Sequence, residues 1–467
     1  MAERHRRKLP RNLATPLRPG DTPLIDAVRH GRRQEVAALL GASADVNELK
    51  TDGTGISPLF IACSKGDVGI IRLLLAAGAA VNHTDKDGVT ALYIACQDGF
   101  TEAASTLLAA GAAVDQGADC MGGATPLAVA CQYGHSETVS ALLAAGATAE
   151  WADNDGYTPM FAACDQGHRD TVAALIEAGV PVDHCTCNGN TPLVVACYHG
   201  HRDMVSTLLA AGAAVDLAAC VEGGGDFTPL LVACQNGCSE IVSTLLAAGA
   251  DVNRTSIDGA TPLYIACENG HADMASVLLA AGAAVDRARE DGSKPLEVAC
   301  MHGQLGLVQL LSSYGADRQL SQHYTAEDLA NYHGHDGLAT WLVASRQWST
   351  PLHHLEVIGA PRARALLRDG ADIQAAVAPG GSTPLSLARA MHAVGGVIAG
   401  SAAQLVLDAA APWSEANHTL FPAAARQQAV VLLRLGYLLS RQERFNRQET
   451  ALYDLWRERV VPELVVR

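Results

Sequence analysis

One segment, close to G-x-T-P-L-x-x-A-C-x-x-G-H-x-x-x-V-x-x-L-L-A-A-G-A-x-V-D, returns nine times between Thr22 and Leu320. Its leading residue falls at Thr22, Ser57, Thr90, Thr125, Thr158, Thr191, Thr228, Thr261 and Lys294, at spacings of 35, 33, 35, 33, 33, 37, 33 and 33. A fixed period of this size means that each unit is one supersecondary element that cannot bury its own apolar face. The chain is 467 residues long, a length that by itself suggests two to four domains; the period overrides that expectation.

One unit, residues 123–150, shows how the period is built. Thr125 precedes Pro126, and Pro is favoured at the first helical position, so Thr125 is the N-cap. Leu127, Ala130 and Cys131 give a short apolar face. Gly134 stops this helix in the left-handed conformation. Val139, Leu142 and Leu143, at i, i+3 and i+4, predict the buried stripe of a second helix, which Gly146 ends. An extended finger then crosses to the next unit. Helices shorter than about 12 residues are marginal alone in water, so neighbouring units must cover the stripe.

The period near 33 together with T-P-L resembles the ankyrin repeat, and the resemblance covers Asp21–Leu320. It implies an all-α solenoid of stacked antiparallel helix pairs with β-hairpin-like finger loops, capped by C-terminal helices. The expected organisation is a basic, unstructured tail over 1–20, nine repeats over 21–320, degenerate repeats over 321–412 and a helical cap over 413–467. The spacings of 35 and 37 add residues around Asp52–Gly55, Ala118–Gly123 and Glu222–Asp226, all in fingers, and the Gly-rich inserts CMGGA and VEGGGD are expected to be mobile. Weaker units begin at Thr325, Thr350 and Thr383; the second helix of the Thr350 unit reads one residue short, and the Thr383 unit drifts into a longer helical pattern. From Trp413 the period is lost. The segment W-S-x-x-N-H-x-L-F-P-A resembles a tail found on ankyrin proteins of single-celled eukaryotes, and helical patterns follow from Pro422 and over Glu449–Val461. The same resemblance implies possible modification at the finger residues Asn47, Asn82 or Asn253, each of which otherwise closes its turn.

The sequence departs from the family at one position. The usual T-P-L-H places a His three residues after the Thr, where it fastens adjacent repeats. Here that position holds Phe60, Tyr93, Ala128, Phe161, Val194, Leu231, Tyr264 and Glu297. The imidazole link is therefore expected to be absent, with apolar packing in its place.

Composition narrows the function. Net charge is −16, made of +5 over 1–20, −21 over 21–320 and zero over 321–467. An acidic repeat block disfavours nucleic acid, which needs Lys/Arg stripes against phosphate. No apolar run approaches the ~20 residues of a membrane span. The start MAERHRRKLPRNL carries no apolar core and is not read as a signal peptide; RHRRK is either a nuclear-import patch or a basic tail. The 13 Cys are an odd count at low density, which points to a reducing compartment and hence a cytoplasmic location, with the nucleus as the alternative.

Eight Cys occupy one repeat position, Cys63, Cys96, Cys131, Cys164, Cys197, Cys234, Cys267 and Cys300, as expected of small core residues. Cys185 and Cys187, with His184, Cys197, His199 and His201 nearby, invite a zinc reading, but C-x-C in a finger is not the knuckle spacing of structural zinc. Acidic pairs recur at finger tips without a calcium-loop pattern, and no nucleotide or nucleophile motif is present. The expectation is a monomeric, non-catalytic scaffold without cofactor or metal.

The resemblance implies partner binding along the finger tips and the ends of the first helices. Positions seven and eight after the leading residue vary while the core positions barely change. The candidate partner-binding residues are Lys65, Gln97, Asp98, Gln132, Tyr133, Asp165, Gln166, Tyr198, His199, Gln235, Asn236, Glu268, Asn269, Met301 and His302, with Tyr157 and Phe227 from the fingers. Aromatics among them are natural anchors. The alternative is an adaptor whose repeats hold a substrate protein while the C-terminal helices recruit a second complex, such as a ubiquitin ligase.

Overall fold

The computed structural model describes residues 21–119, 122–186, 189–221, 225–319, 324–346, 348, 350–376, 381–411, 417–420 and 425–427. The chain divides into two units, Met1–Asp251 with Thr255–Ile257, and Val252–Arg254 with Asp258–Arg467.

In the first unit, helix pairs follow one another at the repeat period, as in Pro126–Gln132 with Ser136–Ala144, Pro159–Gln166 with Arg169–Glu177, and Pro192–Tyr198 with Arg202–Ala210. The caps anticipated from sequence form. Thr125 Oγ1 accepts from the Ala128 amide at 3.2 Å, and Thr90, Thr158, Thr191 and Thr228 do the same for Tyr93, Phe161, Val194 and Leu231 at 3.1, 3.2, 3.1 and 3.2 Å. Each cap satisfies one orphan donor of a short helix, a contribution of about 1 kcal/mol. Gly134 has φ +77°, in the left-handed region as its place after the helix requires.

Two of the three residues expected in the second-helix stripe are buried and the third is not. Val139 and Leu142 are fully buried, and Thr138 joins them, whereas Leu143 is only half-buried. All eight periodic cysteines are buried.

Two kinds of link tie successive repeats, and neither was anticipated. Apolar side chains do fill the third position: Phe60, Tyr93, Phe161, Val194 and Leu231 are buried. Yet an imidazole link exists, supplied by the His of the G-H pair. His135 Nε2 donates to the Gln97 carbonyl at 3.0 Å and His168 Nε2 to the Gln132 carbonyl at 3.1 Å. The ring of each packs on the preceding repeat's glycine. A Cβ on Gly99 or Gly134 would lie 2.5 Å from the His135 or His168 ring, so these glycines also serve close approach.

The second link comes from the fingers. Asn82 Oδ1 accepts from the Ala113 amide at 2.7 Å while its Nδ2 donates to the Gly111 carbonyl at 3.4 Å. Asn47 makes the same pair with Ala80 and Gly78, and Asp115 and Asp183 keep the acceptor half with Thr148 and Ala214. These side chains therefore join one finger to the next repeat rather than merely closing their own turn. The longest finger forms a small antiparallel hairpin, Ala219–Val221 with Gly225–Phe227, in which Ala219 pairs with Phe227. Cys120 and Met121 of the CMGGA insert, and 222–224 of VEGGGD, lie outside the described residues.

The second unit opens with regular pairs, Pro262–Glu268 with Ala272–Ala280 and Pro295–Met301 with Leu305–Ser313. Lys294, the one leading residue without a hydroxyl, makes no side-chain cap. Asn253 repeats the two-sided finger link, to Ala284 and Gly282, and His335 Nε2 reaches the Met301 carbonyl at 2.9 Å. The Thr325 unit is a full pair, Ala326–Tyr332 with Asp336–Ala344, in which Asp328 completes a capping box in place of the missing Pro.

The Thr350 unit corrects the sequence reading. Its second helix, Ala360–Arg368, has the full nine residues; the first is reduced to one 3₁₀ turn, Pro351–His353. His353 Nδ1 turns back onto Thr350, and His354, buried against Trp341 and Trp348, holds the chain in a non-helical conformation. The Thr383 unit pairs Pro384–Ala393 with Ala402–Ala410 around a core that includes Leu367, Leu385, Val406 and Leu420. Most of 413–467, including the expected helix over Glu449–Val461, lies outside the described residues. The described turn His418–Leu420 is held by Arg368 Nε donating to the Thr419 carbonyl at 2.9 Å.

Candidate protein-binding ridge

Most repeats end their first helix with two residues that are at least partly at the surface. In the first unit this row is not uniform. Lys65, Gln166, Tyr198, His199, Gln235 and Asn236 are exposed; Asp98, Gln132, Tyr133 and Asp165 are half-buried. Gln97 is 9% exposed and presents little side chain for contact.

The richest stretch lies over three adjacent repeats. His199 Nε2 is 3.1 Å from Asp165 Oδ1, and Gln166 Nε2 donates to Asp165 Oδ2 at 2.7 Å. Asn236 Nδ2 donates to the Tyr198 carbonyl at 2.7 Å. The Tyr198 ring meets His199 edge-on at 5.1 Å yet remains 63% exposed, an amphipathic ring held in place with its face in water. Behind it, burial and then His199 depress the pKa of His201.

The two finger aromatics are less available. Tyr157 is half-buried, its ring edge-on to Phe161 at 4.8 Å, and its pKa is raised by burial and by Asp155. Phe227 is half-buried at the end of the hairpin.

In the second unit Glu268, Asn269, Met301 and His302 are exposed, with Asn269 Nδ2 bound to the Ile265 carbonyl at 3.0 Å. Sequence reasoning stopped at Met301–His302. The structure adds Tyr332, 85% exposed, and His333, whose rings meet edge-on at 5.2 Å as do those of Tyr198 and His199. They stand seven and eight residues after Thr325, so the repeat count itself was the signal.

Among the described residues no group of three His, Cys, Asp or Glu side chains could hold a metal ion. Cys185 is exposed and Cys187 lies outside the described residues. Burial raises the thiol pKa of all eight core cysteines, that of Cys300 to about 12, so none is a ready thiolate.

A family model described as ankyrin repeats (3 copies) matches in overlapping blocks, 24–117, 59–150, 112–184, 130–219, 178–256 and 230–322. The chain belongs to the ankyrin repeat family. Among solved structures it is similar to the human ASB11 ankyrin repeat domain, at 32% identity and a TM-score of 0.43, over 48% of this chain and 98% of that one. Ankyrin repeats are generally protein–protein interaction modules. No described helix is long and apolar enough to cross a membrane.

Proposed function

We propose that the protein is a non-catalytic scaffold that holds a protein partner along the first-helix ends and finger residues of its ankyrin repeats. The observation that carries this reading is the pairing of an invariant buried frame with a varied exposed row. Tyr198, with its ring fixed by His199 and its carbonyl held by Asn236, has the pre-ordered aromatic character of an interface anchor. Within this reading, 21–320 is the binding domain, 321–412 extends it with degenerate repeats, and the chain acts as a cytoplasmic monomer.

Crosslinking with mass spectrometry on the full chain in cells of the source organism tests it. Partners crosslinked to the wild type should be lost when Tyr198 and Gln235 are both changed to Ala. They should be retained when Ser206 and Ser243, exposed on second helices, are changed instead. Equal loss in both variants, or in neither, would remove the ridge as the binding surface.

A further inference from the structure

A cavity of about 630 Å³ opens in the second unit where the shortened turn of the Thr350 repeat meets the repeat before it. Its volume falls in the range of about 300–1,000 Å³ typical of small-molecule sites. It is lined in part by Thr350, Pro351 and His354 of the turn that stands where a first helix would be.

The chemistry of the lining is one-sided. Glu327 is neutralised by Arg346, whose Nε lies 2.9 Å from both carboxylate oxygens. Arg318 feels the same Glu327 carboxylate but makes no ion pair with it among the described residues. Its guanidinium lies 5.2 Å from the centre of the Trp341 ring, and its one hydrogen bond there is from Nη1 to the Leu342 carbonyl at 3.4 Å. Burial pulls its pKa below the ordinary arginine value, the mark of a cation short of solvation. Ser312 and His354 also line the cavity, but their polar atoms Oγ and Nδ1 are buried away from it and offer a ligand nothing. Trp348 closes one side, its ring edge-on to His354 at 5.1 Å and to Trp341 at 5.8 Å. Two arginines around one carboxylate leave a net positive charge, and together with the aromatic wall they select one kind of ligand.

We propose that this cavity binds a small organic monoanion, a carboxylate on a planar apolar body, with the carboxylate on Arg318 and the body against Trp348. The site uses none of the ridge residues, so it stands or falls independently of the scaffold reading.

The test is titration of the full chain with 2-naphthoate and with its neutral analogue 2-naphthamide, followed by calorimetry and tryptophan fluorescence. Naphthoate should bind saturably at one site, and naphthamide at least tenfold more weakly. Arg318→Gln should weaken naphthoate at least tenfold and bring the two probes level. Thr350→Trp, which fills the cavity mouth without removing a charge, should abolish binding of both. The proposal is overturned if the wild type shows no saturable naphthoate binding, if the two probes bind alike, or if naphthoate affinity survives either substitution in a folded variant. Should Arg318→Gln fail to fold, Thr350→Trp decides.

Discussion

Leu142 is fully buried while Leu143 keeps part of its side chain in water, because one residue turns a helix by about 100° and the buried stripe is narrow. Leu142→Ala should therefore cost about 2–5 kcal/mol in urea unfolding, with Leu143→Ala costing less than half as much. Equal losses would mean that the stripe is wider than the structure shows. Glycines divide in the same way. Gly134 and Gly146 both have positive φ, +77° and +87°, and an L-residue there costs about 1–2 kcal/mol. A Cβ on Gly146 meets nothing within 4 Å, whereas one on Gly134 runs into the His168 ring at 2.5 Å. Gly134→Ala should thus destabilise clearly more than Gly146→Ala in the same urea experiment, since it must also displace the His168 link to Gln132.

At the scale of the element, what the sequence made legible was whatever a repeat settles within itself. The Thr caps, the stop glycines and the cysteine column depend on neighbours a few residues away, and they stand where the period placed them. What it concealed depends on one repeat meeting the next. The His135 ring reaches back 38 residues to the Gln97 carbonyl, and that contact restores an imidazole link. Asn82 was read as a turn residue because its partners, Ala113 and Gly111, belong to the following repeat. Asn82→Asp keeps the acceptor and should cost little; Asn82→Ala loses both bonds and should cost about 1 kcal/mol more, read as a drop in melting temperature. The collapsed helix at Thr350 has a titratable consequence. Burial, then Arg318, His353 and Arg362, depress the pKa of His354 to about 3. Its folded-state pKa lies below the unfolded value of about 6.5, so its stabilising share is complete above that value and lost as pH falls below it. Between about pH 7.5 and pH 5 the surrounding turn and Ala360–Arg368 should lose about 2 kcal/mol of local stability, seen as faster amide exchange. His354→Gln should remove that pH dependence, and a wild-type exchange pattern unchanged at pH 5 would contradict the burial of a neutral ring.

For the molecule as a whole the governing quantity is charge. Residues 21–320 carry 35 acidic against 14 basic side chains, and the acidic ones recur at the same finger positions in successive repeats. Helices in contact sit about 8–10 Å apart, so like charges in adjacent fingers fall well inside the screening length of about 30 Å at 0.01 M salt and near its value of about 10 Å at 0.1 M. Attractive pairs such as Arg33 with Asp67 and Arg72 with Glu102 oppose this repulsion, but exposed pairs contribute only about 0–1 kcal/mol each and are screened by the same ions. Unfolding spreads the acidic groups and relieves their repulsion, so the folded state carries the larger electrostatic penalty. Raising NaCl from about 0.01 M to about 0.3 M should therefore raise the melting temperature, with most of the gain below about 0.1 M, where the screening length is still longer than the distance between neighbouring helices. A melting temperature that falls over that range would show that the ion pairs outweigh the repulsion, and that the acidic excess is compensated locally rather than borne by the stack.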